Sequence, residues 1–167
     1  MSFQERLLQE YDEEMNKTRK MLELVPDDKL GWKPHEKSMT LGRLASHLAD
    51  FPTWGLATIE ANEHVVPADF RPDVPKSRAE ILAKFEKDLA SCRERISRLS
   101  DDQLETQWTL KFGEQTVFTM PRANVIRGTV MDHMIHHRGQ LSVYLRLLNV
   151  PIPGMYGPSA DEMPPAK

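Results

Sequence analysis

The fold of this chain is decided by one late stretch of sequence, Asp132-His133-Met134-Ile135-His136-His137-Arg138-Gly139-Gln140. It lies within an apolar repeat in threes and fours, which predicts a helix that buries one face. His133 and His137 are four residues apart, so on a helix they share a face, one turn from each other. Two imidazoles at this spacing can bind a single transition-metal ion. The stretch therefore predicts both a core helix and a candidate metal site.

This fourth predicted helix begins at Pro121 and ends near Asn149, because Pro151 and Pro153 cannot continue it. Its predicted inward face consists of residues spaced by three and four. These are Ile126, Val130, His133, His137, Leu141, Tyr144 and Leu148. Both histidines thus occupy predicted core positions, where each buried imidazole needs a polar partner.

Three further helices are predicted upstream from the same periodicity. The first covers residues 3–25, and the second covers residues 41–59 with Pro52 inside it, which should kink or divide the helix. Ser77 is placed to cap the third helix, and Glu80 follows three residues later to complete a capping box. Each helix has one apolar stripe.

Residues 106–120 alternate polar and apolar side chains around Gly113, which predicts a short β-hairpin between the third and fourth helices. Four helices with one apolar stripe each can bury those stripes only against each other. We therefore predict an all-α four-helix bundle with this hairpin, forming a single domain over residues 1–167. The links between helices are long, so the order of the helices around the core stays open.

The composition of the chain excludes several classes of function. The chain has 167 residues, of which 40% are hydrophobic and 28% charged, as in an ordinary globular domain. A net charge of −3 argues against nucleic-acid binding. No signal-peptide pattern or membrane-length apolar run is visible. The single cysteine, Cys92, cannot form an internal disulfide, and we interpret it as a small buried hydrophobe. These features predict a cytoplasmic protein without membrane or nucleic-acid partners.

A third histidine, His47, lies at the edge of the stripe of the second helix, between Leu44 and Phe51. Three histidines from two helices would leave positions on a metal open for chemistry. A hydrogen-bonded histidine cluster is the alternative. The pattern is not the His-Glu-x-x-His motif of zinc proteases, because Met134 follows His133 where that motif has its glutamate base.

Neighbouring polar residues are interpreted more simply. Asp50 could orient the histidine of the second helix, but a surface acid is the ordinary interpretation. His136 points away from the predicted inward face. Arg138 is expected to form a salt bridge and Gln140 a hydrogen bond. Tyr156, in the tail after the last helix, could fold back over the bundle.

Four segments resemble the DinB family of DinB/YfiT-like metalloenzymes. They are Val25–Pro34, Lys37–Ala49, His133–Leu141 and Val150–Glu162, and the resemblance covers nearly the whole chain. It implies a four-helix bundle with up-down-down-up connectivity, which is often a homodimer. It also implies a divalent metal, usually zinc or nickel, bound by three histidines. Those histidines correspond to His47, His133 and His137.

The wider superfamily resembles thiol S-transferases that use low-molecular-weight thiols such as bacillithiol or mycothiol. The resemblance therefore implies a metal-dependent thiol S-transferase. The alternatives are a metal-dependent hydrolase and a non-catalytic helical module stapled by its metal. A homodimer is also expected from large apolar residues outside the four stripes. These are Trp54, Phe70, Trp108, Phe112 and Phe118.

Overall fold

The structure, a computed structural model, describes residues 1–163 and is mostly helical with a small three-stranded sheet. The helices and strands in chain order are α1 (Phe3–Leu22), α2 (Leu41–Ala49), α3 (Phe51–Glu60), β1 (Glu63–Val66), α4 (Arg78–Ser97), α5 (Asp101–Glu105), β2 (Gln107–Phe112), β3 (Gln115–Pro121), α6 (Arg122–Asn124) and α7 (His133–Leu147). A short 3₁₀ turn covers Asp27–Lys29, and a π-helical segment, Val125–Asp132, leads directly into α7.

The long helices pack around one apolar core. Helix α4 contacts α1, α2 and α3, while α7 contacts α1 and α2. Around the core the helical units therefore follow the order α1, α4, α2 with α3, and α7. The apolar stripes meet inside, so that residues such as Leu7, Leu44, Phe85 and Leu141 are buried. The up-down-down-up connectivity implied by the family resemblance stays a prediction.

The second predicted helix is divided, as expected from its proline. Helix α2 ends at Ala49 and α3 begins at Phe51, with Pro52 in its first turn. Proline has no N–H and its ring collides with the preceding turn, so the helix cannot continue unchanged. Thr40 caps α2, because its side chain accepts a hydrogen bond from the Arg43 N–H at 3.2 Å. This cap sets the position of α2.

The start of α4 is predicted correctly, but its capping box is wrong. Ser77 caps the helix and accepts a hydrogen bond from the Glu80 N–H at 3.2 Å. The Glu80 carboxylate, however, accepts the N–H of Lys76 at 2.8 Å, one residue before the N-cap. The carboxylate therefore reaches past the cap and satisfies a different donor.

The sheet contains the hairpin of β2 and β3 and one additional strand. The hairpin turns at Gly113, whose φ of +56° lies in the left-handed region that favours glycine. Strand β1 pairs in parallel with β2, with Glu63 opposite Thr109. The sequence did not predict β1, because its hydrogen bonds come from a strand more than 40 residues away.

Trp108 on β2 was expected to be one of the apolar residues that form a dimer contact, and for this residue the expectation is wrong. Its side chain is only 1% exposed, and its ring lies 6.2 Å from that of Phe118 on β3. The hairpin therefore buries this tryptophan within the chain. Phe70 and Phe112 remain about half exposed.

The fourth predicted helix is confirmed as a helical stretch from Arg122 to Leu147, but its middle part is π-helical and not α-helical. Pro121 ends β3, and the π-helical segment separates the short α6 from α7. The predicted inward face is largely kept, because most of its residues are buried, namely Ile126, Val130, His137, Leu141 and Tyr144. Met134 and Arg138 are buried, whereas His133 is exposed. The predicted core position of His133 is therefore wrong, although His137 is buried.

No helix within residues 1–163 is both long enough and apolar enough to cross a bilayer.

Candidate metal centre

His47 reaches the site from α2. The buried residues Leu44 and Leu48 hold this helix against the core, and His47 lies half-buried at the edge of their stripe. The ring of Phe51, at the start of α3, lies 5.1 Å from the ring of His47. The same phenyl ring lies 5.1 Å from that of His133. Phe51 therefore forms an apolar wall beside two of the three histidines.

The other two histidines come from the first two turns of α7, immediately after the π-helical segment. Their Nε2 atoms, in His133 and His137, are 2.8 Å apart. The four-residue spacing predicted this approach. π-Helical turns often occur at functional sites, and here the π-helical segment ends at Asp132, directly before His133.

The structure brings all three predicted histidines together. The ring of His47 lies 5.2 Å from that of His133 and 4.7 Å from that of His137, between centroids. One nitrogen from each ring lies within 4.8 Å of the other two. Within the described part of the chain, these three residues form the group of potential ligands that could hold one metal ion.

The hydrogen bonds of the two rings on α7 orient their Nε2 atoms. The Nδ1–H of His137 donates to Oε1 of Gln140 at 2.7 Å, so Gln140 forms the predicted hydrogen bond. His133 donates to the backbone of Thr129, a bond that favours the proton on its ring. With its proton on Nδ1, His137 presents the lone pair of Nε2 to the Nε2 atom of His133 at 2.8 Å. Either a proton on the His133 Nε2 atom or a cation bound by both rings satisfies this close approach.

This arrangement fits a divalent metal. Metal-bound histidines usually donate their second ring nitrogen to a carbonyl or carboxylate, as His133 and His137 do here to carbonyl groups. Tetrahedral zinc at about 2.0–2.1 Å from each nitrogen would need the two atoms roughly 3.3 Å apart. The observed separation of 2.8 Å is within a small adjustment of that value.

The electrostatics keep the three imidazoles neutral. Burial lowers the pKa of His47 to about 3, and the positive forms of His137 and His133 lower it further. Burial is also the largest cause of the lowered pKa values of His133 and His137. Metal ligation requires neutral imidazole, so at neutral pH the cluster is in the form that binds metal.

Two other polar side chains do not join the histidines. Asp50 forms an ion pair with Lys84 at 2.7 Å instead of orienting His47, and burial raises the pKa of its carboxyl group. His136 is exposed, with its ring 5.1 Å from that of His137. Cys92 is fully buried, as predicted, and the cluster does not include it.

Sequence reasoning missed the polar cluster behind the site. Arg138 is buried and forms an ion pair with Glu14 of α1, and the Tyr156 hydroxyl bonds to both side chains. The salt bridge of Arg138 and the return of the tail were expected. The pairing of Arg138 with Glu14 was not expected. The sequence does contain a signal for it, because Glu14 is an acidic residue between Tyr11 and Met15 on the apolar face of α1.

Comparison with known proteins identifies the class to which this fold and site belong. The model of the DinB family matches residues 1–166. YrdA of Bacillus subtilis, an uncharacterized protein, is 30% identical over 166 residues, covering 93% of this chain and 89% of YrdA. YjoA of the same organism, also uncharacterized, is 29% identical over 136 residues, covering 78% of this chain and 81% of YjoA. The chain therefore belongs to the DinB family, as its sequence segments indicated.

Solved structures agree with this assignment. A DinB-like protein from Bacillus cereus superimposes with a TM-score of 0.70 and 26% identity, over 91% of this chain and 97% of its own. YfiT from Bacillus subtilis superimposes with a TM-score of 0.67 and 16% identity, over 90% of this chain and 91% of its own. YfiT is described as a probable metal-dependent hydrolase with an unusual four-helix bundle topology.

Proposed function

We propose that this protein is a metal-dependent thiol S-transferase in which His47, His133 and His137 bind one divalent ion, zinc or nickel. The observation that carries the proposal is the convergence of three neutral imidazoles, with His133 exposed at the surface. Three ligands leave at least one coordination position for a substrate, and the exposed side allows the substrate to enter.

A divalent ion bound here would favour the thiolate form of a thiol. The chain itself contributes orientation and shape. Gln140 and the Thr129 backbone hold the rings of His137 and His133. Phe51 limits access of water on one side. In the transfer, the thiol proton passes to solvent, the sulfur bonds to an electrophilic carbon, and the leaving group departs with the electrons of the broken bond.

The lack of a nearby carboxylate base favours a thiol over water as the nucleophile. Hydrolysis by a metal-bound water usually relies on a glutamate such as that of His-Glu-x-x-His. Here the corresponding residue, Met134, is buried, and Asp50 is paired with Lys84. Within residues 1–163 the cluster of potential ligands contains no carboxylate. A thiol needs less help, because it loses its proton far more easily than water does.

A metal-dependent hydrolase is the second candidate. The likeness to YfiT, described as a probable metal-dependent hydrolase, supports it. A non-catalytic role in which the metal only staples α2 to α7 is less consistent with the exposure of His133, because a structural site usually has four protein ligands.

Metal analysis and thiol titration test the proposal. The purified protein should contain about one divalent ion per chain. The cobalt-substituted form should develop a sulfur-to-metal charge-transfer band when a low-molecular-weight thiol is added, and a His137→Ala variant should not. If thiols produce no band while ester or amide substrates are hydrolysed in a metal-dependent way, the hydrolase is correct and the transferase is wrong.

Assembly as a homodimer is the second part of the proposal. Val143 and Leu147 lie one turn apart on α7, and each is 57% exposed. Exposed apolar pairs of this kind usually mark a contact, and two-fold symmetry is the commonest arrangement. Light scattering at micromolar concentrations tests this part. A mass near the 19.2 kDa of one chain at every concentration would exclude the dimer.

A further inference from the structure

Arg43 is the charged residue within α2, the helix that carries His47. It precedes His47 by four residues, so the two side chains lie on the same face of the helix, one turn apart. The capping bond from its backbone N–H to Thr40 fixes the first turn and therefore the position from which its side chain extends. Any group that binds next to His47 is within reach of this guanidinium.

The guanidinium of Arg43 has unused hydrogen-bonding capacity. Its Nη1 atom is buried and has no hydrogen-bond partner among residues 1–163. In that same part of the chain no carboxylate forms a salt bridge with Arg43. A buried donor without a partner costs free energy, and more when it is charged. An unpaired donor is therefore unfavourable in an arginine that only supports the fold. It is useful in an arginine that binds a ligand, because the ligand can accept the hydrogen bond.

The buried Arg122 and the partly buried Lys84 show the contrast. Arg122 donates to three backbone carbonyl groups and to the side chain of Asn62. Lys84, which also lies close enough to affect His47, is held by Asp50 and Asp73. Each of these cations is satisfied by the protein itself, so Arg43 stands apart as a cation with a free donor.

Arg43 lies close enough to the metal centre for its charge to act on two of the histidines. After the larger effect of burial, its positive charge contributes to the lowered pKa values of both His47 and His137. Arg43 also borders a cleft of about 370 Å³ whose other walls include Lys76 and the carboxylates of Asp27 and Asp28. Both carboxylates are already engaged, because Asp27 accepts the N–H of Arg78 and Asp28 pairs with Lys29. The cleft gives room for the remainder of a small ligand whose anionic group bonds to Arg43.

We propose that Arg43 binds a carboxylate of the thiol substrate, so that the site selects low-molecular-weight thiols that carry a carboxylate group. This inference rests on the proposed thiol S-transferase function and names its substrate class. A planar guanidinium suits a carboxylate because it can donate two parallel hydrogen bonds. With the sulfur at the metal and the carboxylate at Arg43, the thiol is held at two points.

The test uses two thiols that differ only in charge, 3-mercaptopropionate and 3-mercaptopropionamide. Each is titrated into the cobalt-substituted protein, and its dissociation constant is read from the charge-transfer band. The unaltered protein should bind the acid at least about tenfold more tightly than the amide, as expected for hydrogen bonds between charged groups. Arg43→Gln should remove this preference.

Two further variants complete the design. Arg43→Lys should keep part of the preference, because lysine retains the charge but not the paired geometry. Arg98→Gln, which alters an exposed arginine at the end of α4, should keep all of it. Equal affinity for acid and amide in the unaltered protein, or an unchanged preference in both Arg43 variants, would overturn the inference while thiol binding stands. Absence of a band with either thiol would overturn the proposed function and the inference together.

Discussion

His137 and Arg138 are consecutive residues of α7, and each joins a different polar cluster. His137 belongs to the three-histidine cluster, which lies between α2 and α7 and includes the exposed His133. Arg138 belongs to a cluster between α7 and α1 that includes Glu14 and Tyr156. The two clusters use the same helix but satisfy their polar atoms in opposite ways.

The Arg138 cluster is satisfied within the chain. The side chains of Arg138 and Glu14 are only 2% and 6% exposed. Arg138 also donates to the Glu14 carbonyl at 2.9 Å and to the Thr18 hydroxyl at 3.1 Å, while Glu14 receives Lys17 at 2.7 Å. In the histidine cluster, two ring nitrogens face each other at 2.8 Å instead, and no carboxylate joins them within residues 1–163. A polar network whose groups are all paired within the chain, such as the Arg138 cluster, holds helices in place. A group of neutral imidazoles with available nitrogens, such as the histidine cluster, is suited to bind a cation.

The largest expected effect is on stability, in the closed cluster. Arg138→Met should lower the free energy of unfolding by about 3–5 kcal/mol, because it leaves the Glu14 carboxylate buried without its partner. Urea denaturation measures this. The double variant Glu14→Leu with Arg138→Met should regain most of the loss, since both charges are then removed. A loss below about 1 kcal/mol in the single variant would mean that the cluster is not a structural support.

The next effect is on metal binding, in the open cluster. His137→Ala should weaken metal affinity by more than about 100-fold, because loss of a partner that merely orients a ligand already costs about 10–100-fold. Mass spectrometry and metal analysis of the purified variant measure this. His136→Ala is the matched control, because its side chain is adjacent but exposed. Normal metal content in the His137 variant would remove that residue from the proposed ligands.

A smaller effect is expected at the residue that orients His137. Gln140→Ala should weaken metal affinity by about 10–100-fold and leave the fold intact, because Gln140 bonds only to the second nitrogen of the ring. Competition with a chelator gives the affinity. Gln140→Glu should retain binding, since a carboxylate accepts the same hydrogen bond. Equal metal affinities in the unaltered protein and in both Gln140 variants would show that the hydrogen bond between His137 and Gln140 does not orient a ligand.

The most gradual effect is the response of the metal-free protein to acid. The pKa of His47 is about 3 in the folded chain against an ordinary value of 6.5, so the unfolded chain takes up more protons as pH falls below 6.5. Stability should therefore decrease from pH 7.5 to pH 5, and the decrease should be smaller in His47→Gln. Urea denaturation across this range tests it, and a stability independent of pH would contradict it.

The Arg138 cluster should respond to acid only later. Burial raises the pKa of Glu14, but hydrogen bonds from Lys17, Tyr156 and Arg138 outweigh it and hold the pKa below its ordinary 4.5. Its contribution to stability is present above pH 4.5 and is lost as pH falls through the lowered value. Acid therefore separates the two clusters, with the histidines affected first.

Much of the fold was predictable because its signals are local. Apolar spacing indicated the long helices, Pro52 divided the second one, and the turn at Gly113 lies between two strands. Strand β1 was not predictable in this way. Its four residues carry no pattern of their own and become a strand only by pairing with β2, far along the chain.

The sequence by itself determined which residues could form the metal site, because the four-residue spacing of His133 and His137 places two imidazoles together on any helix. It also indicated His47 from its place at the edge of an apolar stripe. Only the tertiary structure decided how the site is presented. Arg138 is buried against Glu14 of α1, while His133, which the apolar spacing placed in the core, is exposed. This difference depends on how α7 packs against α1 and α2, and no local pattern of residues contains that information.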